Sequence, residues 1–293
     1  MNIAITIPAF NEEKTISALL DKLKQVIRQN GYNAKILVVD DGSKDRTAEI
    51  AKSKGAVVFR HPSNLGLAET FRTEMEQILL LNPDIIVHID ADSQYLPEEI
   101  HLLVNEINKG ADLVLGSRFK GKIEHMPIIK RIGNKAFSSL ISRIIQKHFS
   151  DFQTGFRAFT REVAEQVKIT SRFTYTQEQI IRAVKQKFKV VEVPVHFNRR
   201  HGKSRLMKGP FDYALKAGVN LFRIYRDYEP LKFFGLFGAI IFLPGFLLGI
   251  WLTYLFLTTG IVGHFPSIML AVLLISISIQ VWLFAFLADM LRK

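Results

Sequence analysis

The sequence predicts an α/β protein, a mostly parallel sheet with helices on both faces, followed by a C-terminal two-helix transmembrane hairpin. Three observations predict it. Short β-branched runs alternate with amphipathic stretches through the first two thirds of the chain, the pattern of βαβ units. Polar clusters follow three of those runs, and parallel sheets bind ligands at the carboxyl ends of their strands. From Phe233 to Leu287 there is no Asp, Glu, Lys or Arg.

The elements follow in order. Ile3–Ile7 reads as a first strand ending in "PAFNEE". Ile16, Leu19, Leu20, Leu23, Val26 and Ile27 then recur at helical spacing. Lys35–Val39 is a second strand, and "DDGSKD" after it suits either a helix N-cap at Ser43 or Asp45, or part of a site. Ala56–Arg60 and Ile85–Ile89 are the third and fourth strands, the fourth running into "DADSQ". Ile100, Leu103, Val104 and Ile107 mark a helix; Asp112–Leu115 and Val190–Val195 are further strands. Residues 1–208 form one domain on this reading. Residues 209–229 carry apolar side chains at Phe211, Leu215, Val219, Phe222 and Tyr225 with charges between, an amphipathic helix for a membrane interface. Residues 230–293 supply two spans, about Phe233–Leu257 and Phe265–Leu287, each long enough for a bilayer core of ~30 Å.

Charge sets the orientation. Arg223, Arg226 and Lys232 precede the first span, Arg292 and Lys293 follow the second, and the connecting "TTGIVGH" carries no Lys or Arg. The positive-inside rule then puts both termini and the large domain in the cytoplasm. The start of the chain has no signal-peptide pattern. With no cysteine, disulfides and thiolate metal sites are excluded. The net charge of +12 concentrates in Arg118–Lys147, opposed only by Glu124, and in Arg199, Arg200, Lys203, Arg205 and Lys208. Beside two spans, this excess points to anionic lipid headgroups or a lipid phosphate rather than nucleic acid.

Several chemistries fall away. No G-x-G-x-x-G follows a strand, "GKS" at 202–204 has Phe197 where a P-loop needs Gly, no G-x-S-x-G occurs, and the histidines lack zinc spacing. What remains is Asp90 and Asp92 at a strand end, with Gln94 two residues on. Two carboxylates that close repel unless a cation sits by them. Mg²⁺ or Mn²⁺ on one or two carboxylates completes its shell with substrate phosphate. A nucleotide-sugar site has that composition.

The motifs "IPAFNEEKTI", "VVDDGSKDRT", "NLGLA", "DADSQYLPEEI", "GSRF", "DFQTGFRAF", "EQIIRA" and "VEVPVHFNRRHGKSRL" occur in that order. Over about residues 2–207 the chain thereby resembles family 2 glycosyltransferases of the GT-A, Rossmann-like fold, in the polyprenyl-phosphate (dolichol-phosphate mannose synthase-like) group. The resemblance implies an inverting, metal-dependent transfer from a GDP- or UDP-linked sugar to dolichyl or undecaprenyl phosphate. It implies that Pro8, Phe10, Glu12, Asp40, Asp90 and Ala91 line the nucleotide-sugar pocket, and that Asp92 and Gln94, with Asp90 near, hold Mg²⁺ or Mn²⁺. It also implies that Arg118 reaches phosphate or sugar and that Arg131 meets the lipid phosphate. The family spacing R-x-x-G-x-S-K falls on Arg199, Gly202, Ser204 and Arg205. Asp92, Arg118, Arg131, Arg199 and Arg205 are then the residues expected to carry the reaction.

The sequence departs from the pattern. Arg205 stands where Lys is usual and Phe10 where Tyr is common; Ser93 replaces an apolar residue, and the paired prolines after Gln94 are missing. These changes bear on the donor sugar, not on the reaction type. Other readings of single residues stay open: Glu12 as a first-turn acid, Asp151 as a turn cap, and Glu178 with Arg182 as a helix ion pair. For the whole chain the alternatives are a family 2 transferase with a polysaccharide or glycolipid acceptor, or a silent membrane scaffold. No Q-x-x-R-W motif of processive synthases occurs.

Overall fold

The computed structural model describes residues 1–170, 175–199, 219, 222–223, 225–261 and 264–291. Two compact units divide the chain, Met1–Pro210 and Phe211–Lys293.

The first unit is built on a seven-stranded sheet. Its strands are β1 (Asn2–Ala9), β2 (Asn33–Asp40), β3 (Val57–Arg60), β4 (Ile85–His88), β5 (Leu113–Ser117), β6 (Arg157–Thr160) and β7 (Val190–Pro194), in the order β3-β2-β1-β4-β6-β5-β7. Six of them fall on the expected runs. β6 does not: it is four residues long, carries a wholly buried arginine, and lacks the apolar run that marks the others. It lies antiparallel to both β4 and β5, and every other pairing is parallel. Two antiparallel pairings in succession restore the direction, so β1, β2, β4, β5 and β7 all end on one edge.

Strands β1 and β4 are apolar on both faces because helices cover both. Ile3, Ile5 and Ile7 are buried with Val87 and with Leu19, Leu20 and Leu23 of α1 (Ile16–Gln29) in one core cluster. α2 (Thr47–Ser53), α3 (Leu67–Leu79), α4 (Ile100–Asn108), α5 (Ile128–Ile145), α6 (Arg161–Gln166) and α7 (Thr176–Lys185) complete the layers. Alternating strands would leave one face to water; these near-continuous apolar runs do not. Register fixes the edge: Ala9 pairs with Asp40, and Thr6 with His88.

The second unit contains two long helices, Pro230–Thr259 and Phe265–Met290, each apolar and long enough to cross a membrane. They pack as a hairpin in which the Trp282 Nε1–H donates to the Gly235 carbonyl at 3.0 Å. Residues 219, 222–223 and 225–228, within the expected interfacial segment, are helical. Residues 209–218, 220–221 and 224 of that segment lie outside the described residues.

Candidate active site

The β1–α1 and β2–α2 turns are laced to each other. The Asn11 N–H donates to Ser43 Oγ (2.7 Å), Glu12 N–H to Thr47 Oγ1 (2.8 Å), and Lys44 N–H to Asn11 Oδ1 (2.7 Å). Asp40, fully buried at the end of β2, accepts from the Ser43 N–H at 3.1 Å. Its other oxygen has Arg60 Nε 3.1 Å away but off the hydrogen-bonding direction, an ionic contact only. Asp41 serves a different purpose. Its carboxylate accepts from the backbone N–H groups of Leu65 (2.8 Å) and Gly66 (2.9 Å) and meets His61 Nδ1 at 2.8 Å, which pins the "NLGLA" turn. The next residue, Gly42, has φ +71°, and a Cβ there would stand 2.4 Å from the Ser63 carbonyl carbon. Gly42→Ala is therefore expected to cost on the order of 1–3 kcal/mol, read as a lowered midpoint of thermal unfolding.

Past β4, Ala91 is buried while the Asp90 side chain is about one third exposed. Asp92 accepts the Gln94 N–H at 3.1 Å, bridging Ser93, which takes φ +59°. The tight turn keeps both aspartates at the end of β4. Gln94 is tied to the strap after β7: its Nε2 donates to the Asn198 carbonyl (3.2 Å), and the Asn198 N–H returns a bond to the Gln94 carbonyl (2.8 Å). With Nε2 so engaged, Oε1 is the atom it can offer a cation. Among the described residues no group of three or more His, Asp and Glu side chains could hold a metal alone. The donor set is two hard carboxylates and an amide oxygen, which fits Mg²⁺ or Mn²⁺ completing its shell with phosphate.

Arg118, expected at phosphate or sugar, has a side chain that is 5% exposed and forks onto Asp151, Nε to Oδ2 at 2.6 Å and a terminal nitrogen to Oδ1 at 2.7 Å. Burial opposes its charge, but Asp151, then Tyr95 and Asp90, outweigh that and leave the guanidinium pKa above its ordinary value. The pair fixes the "DFQTGF" loop. That loop brings Gly155 against Asp90, where a Cβ would lie 2.2 Å from Asp90 Oδ2. Tyr95, whose hydroxyl accepts the Gly155 N–H at 3.2 Å, has its pKa pushed up to about 12 by burial. Asp151 also accepts the Gln153 N–H, so the turn-cap reading holds alongside the ion pair.

Behind Asp90 lies a buried polar chain that the motifs did not single out. Glu74 Oε2 is 3.1 Å from His88 Nδ1, His88 Nε2 is 2.6 Å from the Tyr175 hydroxyl, and His88 Nε2 is 4.0 Å from Asp90 Oδ1. Tyr175 stacks on Phe71 at 4.0 Å, and burial followed by Asp90 holds its phenol well above the ordinary pKa. The one sequence signal was a histidine inside an otherwise apolar strand.

The remaining expected residues divide. Pro8, Phe10 and Glu12 lie at the end of β1, with the Thr15 hydroxyl donating to Glu12 Oε2 at 2.9 Å. Arg131 is exposed in the first turn of α5, among Ile128, Ile129 and Ile132, themselves 75%, 62% and 63% exposed. The Arg199 N–H donates to Glu124 at 3.1 Å. Gly202, Ser204 and Arg205 lie outside the described residues. Glu178 and Arg182 form the i, i+4 ion pair at 2.7 Å.

The family model described as glycosyl transferase family 2 matches residues 4–168. The dolichol-phosphate mannosyltransferase of Pyrococcus furiosus is 31% identical over 288 residues, 93% of this chain and 78% of that one. The dolichyl-phosphate hexose transferase of Haloferax volcanii is 30% identical, over 76% of this chain and 93% of its own. Among solved structures, mannosyl-3-phosphoglycerate synthase from Rubrobacter xylanophilus aligns with TM-score 0.60 and 18% identity, covering 77% of this chain and 74% of its own. Glucosyl-3-phosphoglycerate synthase from Mycobacterium tuberculosis, in complex with Mn²⁺, uridine diphosphate and phosphoglyceric acid, aligns with TM-score 0.58 at 18% identity, over 76% of this chain and 77% of its own.

Proposed function

The chain belongs to glycosyl transferase family 2, and from that premise we propose that it moves a sugar, with inversion, from a GDP- or UDP-linked donor to a membrane polyprenyl phosphate. The observation that carries this reading is the convergence of three strand ends, with Asp40, Asp90 and Asp92 on one edge of the sheet. The names of its dolichyl-phosphate relatives support the acceptor class.

Pro8, Phe10, Glu12, Asp40, Asp90 and Ala91 would seat the nucleotide sugar. Asp92 and Gln94, with Asp90, would hold Mg²⁺ or Mn²⁺, which offsets charge on a departing diphosphate. Arg131, Arg199 and Arg205 would share the phosphates, and Arg118 acts one step back, through the loop that abuts Asp90. The acceptor needs no strong base. A phosphomonoester with a second pKa of about 6 is largely dianionic at neutral pH, so alignment and charge compensation are the work left to the protein. The two apolar helices would span the membrane with both termini in the cytoplasm, which keeps the enzyme on the bilayer that carries its acceptor.

The exposed isoleucines around Arg131 suit a lipid-bearing phosphate better than a soluble one. Arg131→Ala is expected to raise the KM for polyprenyl phosphate by roughly 10- to 100-fold, the size of a lost charge-assisted bond, with the donor KM unchanged. The converse split would exchange the two sites. The reading as a whole is tested with membranes containing the protein, polyprenyl phosphate and labelled GDP- and UDP-sugars. Label extracted into chloroform and released by mild acid is the expected result; label in a polysaccharide, or none, would overturn it.

A further inference from the structure

Apart from Asp289 in its last turn, the second apolar helix holds one strongly polar side chain, Gln280, near its middle. Half of its 26 residues precede Ser278, so at ~1.5 Å per residue Gln280 lies within about 4 Å of the helix midpoint. The seam that packs on the first helix is made by Ala271, Ser278 and Ala285, all buried, and the Ser278 hydroxyl is satisfied by the Ile275 carbonyl at 2.7 Å. At ~100° per residue, Gln280 projects about 200° round from Ser278, away from that seam. It is exposed, and no hydrogen bond among the described residues reaches its amide. In hydrocarbon, an amide with two donors and an acceptor oxygen costs free energy until it is paired, and such residues turn toward another helix.

We propose that this face is a self-association surface, where a second copy of the chain supplies the missing partner. The inference rests on the helices spanning the membrane, as proposed above. Copies inserted in the same sense are related by a two-fold axis along the membrane normal, so residue 280 of one meets residue 280 of the other at equal depth. An amide both donates and accepts, and is its own complement. The same face has the spacing of a helix-packing seam: Met269, Leu273, Ser276, Gln280, Leu283 and Leu287 recur at steps of four and three, all exposed.

The absence of cysteine makes the test clean. Leu287 and Phe286 are each 58% exposed but lie about 100° apart on the helix. In full-length protein reconstituted in phospholipid bilayers, Leu287→Cys is expected to form a disulfide-linked dimer on mild oxidation and Phe286→Cys is not. Gln280→Leu is expected to weaken dimerisation in the bilayer by roughly 3- to 20-fold. Equal cross-linking at both cysteines, a monomeric parent protein, linkage to a different membrane protein, or an unaltered Gln280→Leu dimer would each overturn the proposal. Washing the membranes at alkaline pH separates the two readings. Protein that stays bound but does not cross-link refutes the dimer alone, whereas protein released by the wash refutes the span on which it rests.

Discussion

Asp92→Ala is expected to lower sugar transfer by roughly a thousandfold or more while leaving the domain folded. Lewis-acid stabilisation supplies several kcal/mol, and ~1.4 kcal/mol is a factor of ten in rate. Asp92 is partly exposed, and the 3.1 Å bond it accepts from the Gln94 N–H closes a turn on the surface of the sheet edge. Its loss should therefore appear in turnover and in Mn²⁺ titration rather than in the unfolding midpoint. Chelation by EDTA should reproduce the defect in the parent protein, and added Mn²⁺ or Mg²⁺ should reverse it. Full turnover by Asp92→Ala, or by the parent protein in metal-free buffer, would remove the cation from the mechanism.

Asp151→Ala should act in the opposite manner, on stability first. Removing that carboxylate strands a buried guanidinium that has lost both arms of its fork. Breaking one partner of a buried pair costs about 3–5 kcal/mol, or roughly 6–20 °C in unfolding midpoint for a domain of this size. An exposed pair such as Arg161 with Glu165 would cost at most about 1 kcal/mol. Replacing both partners, as in Arg118→Met with Asp151→Leu, should recover much of the stability because no unpaired charge remains. If the pair also sets the loop against Asp90, the double variant will regain its midpoint but not its kcat. Full activity in the restored double variant would confine Arg118 to a packing role.

The candidate site was legible in the sequence to the extent that its residues sit beside their own strand ends. Asp40, Asp90 and Asp92 follow apolar runs directly, and parallel strands bring such ends together whatever the loops do. The arginines were not legible in the same way. Arg118 follows β5 directly, but the loop that claims it lies 33 residues on. Asp41 is the neighbour of Asp40 in the same motif, yet it is spent on a turn 24 and 25 residues away. In the Glu74–His88–Tyr175 chain the His88–Tyr175 link spans 87 positions, and a histidine in an otherwise apolar strand was its only local sign.

By itself the sequence determined the alternation of strands and helices, the edge on which the carboxylates gather, and the two apolar helices. Each of these rests on periodicity or on runs of uncharged residues, which are properties of neighbours along the chain. Only the tertiary structure decided that β6 enters the sheet antiparallel, that Arg118 is consumed by Asp151, and that Gly155 closes on Asp90. The physical reason is that a buried charge takes whichever counter-charge the fold brings within ~3 Å, and the pairing of distant segments is set by packing rather than by spacing.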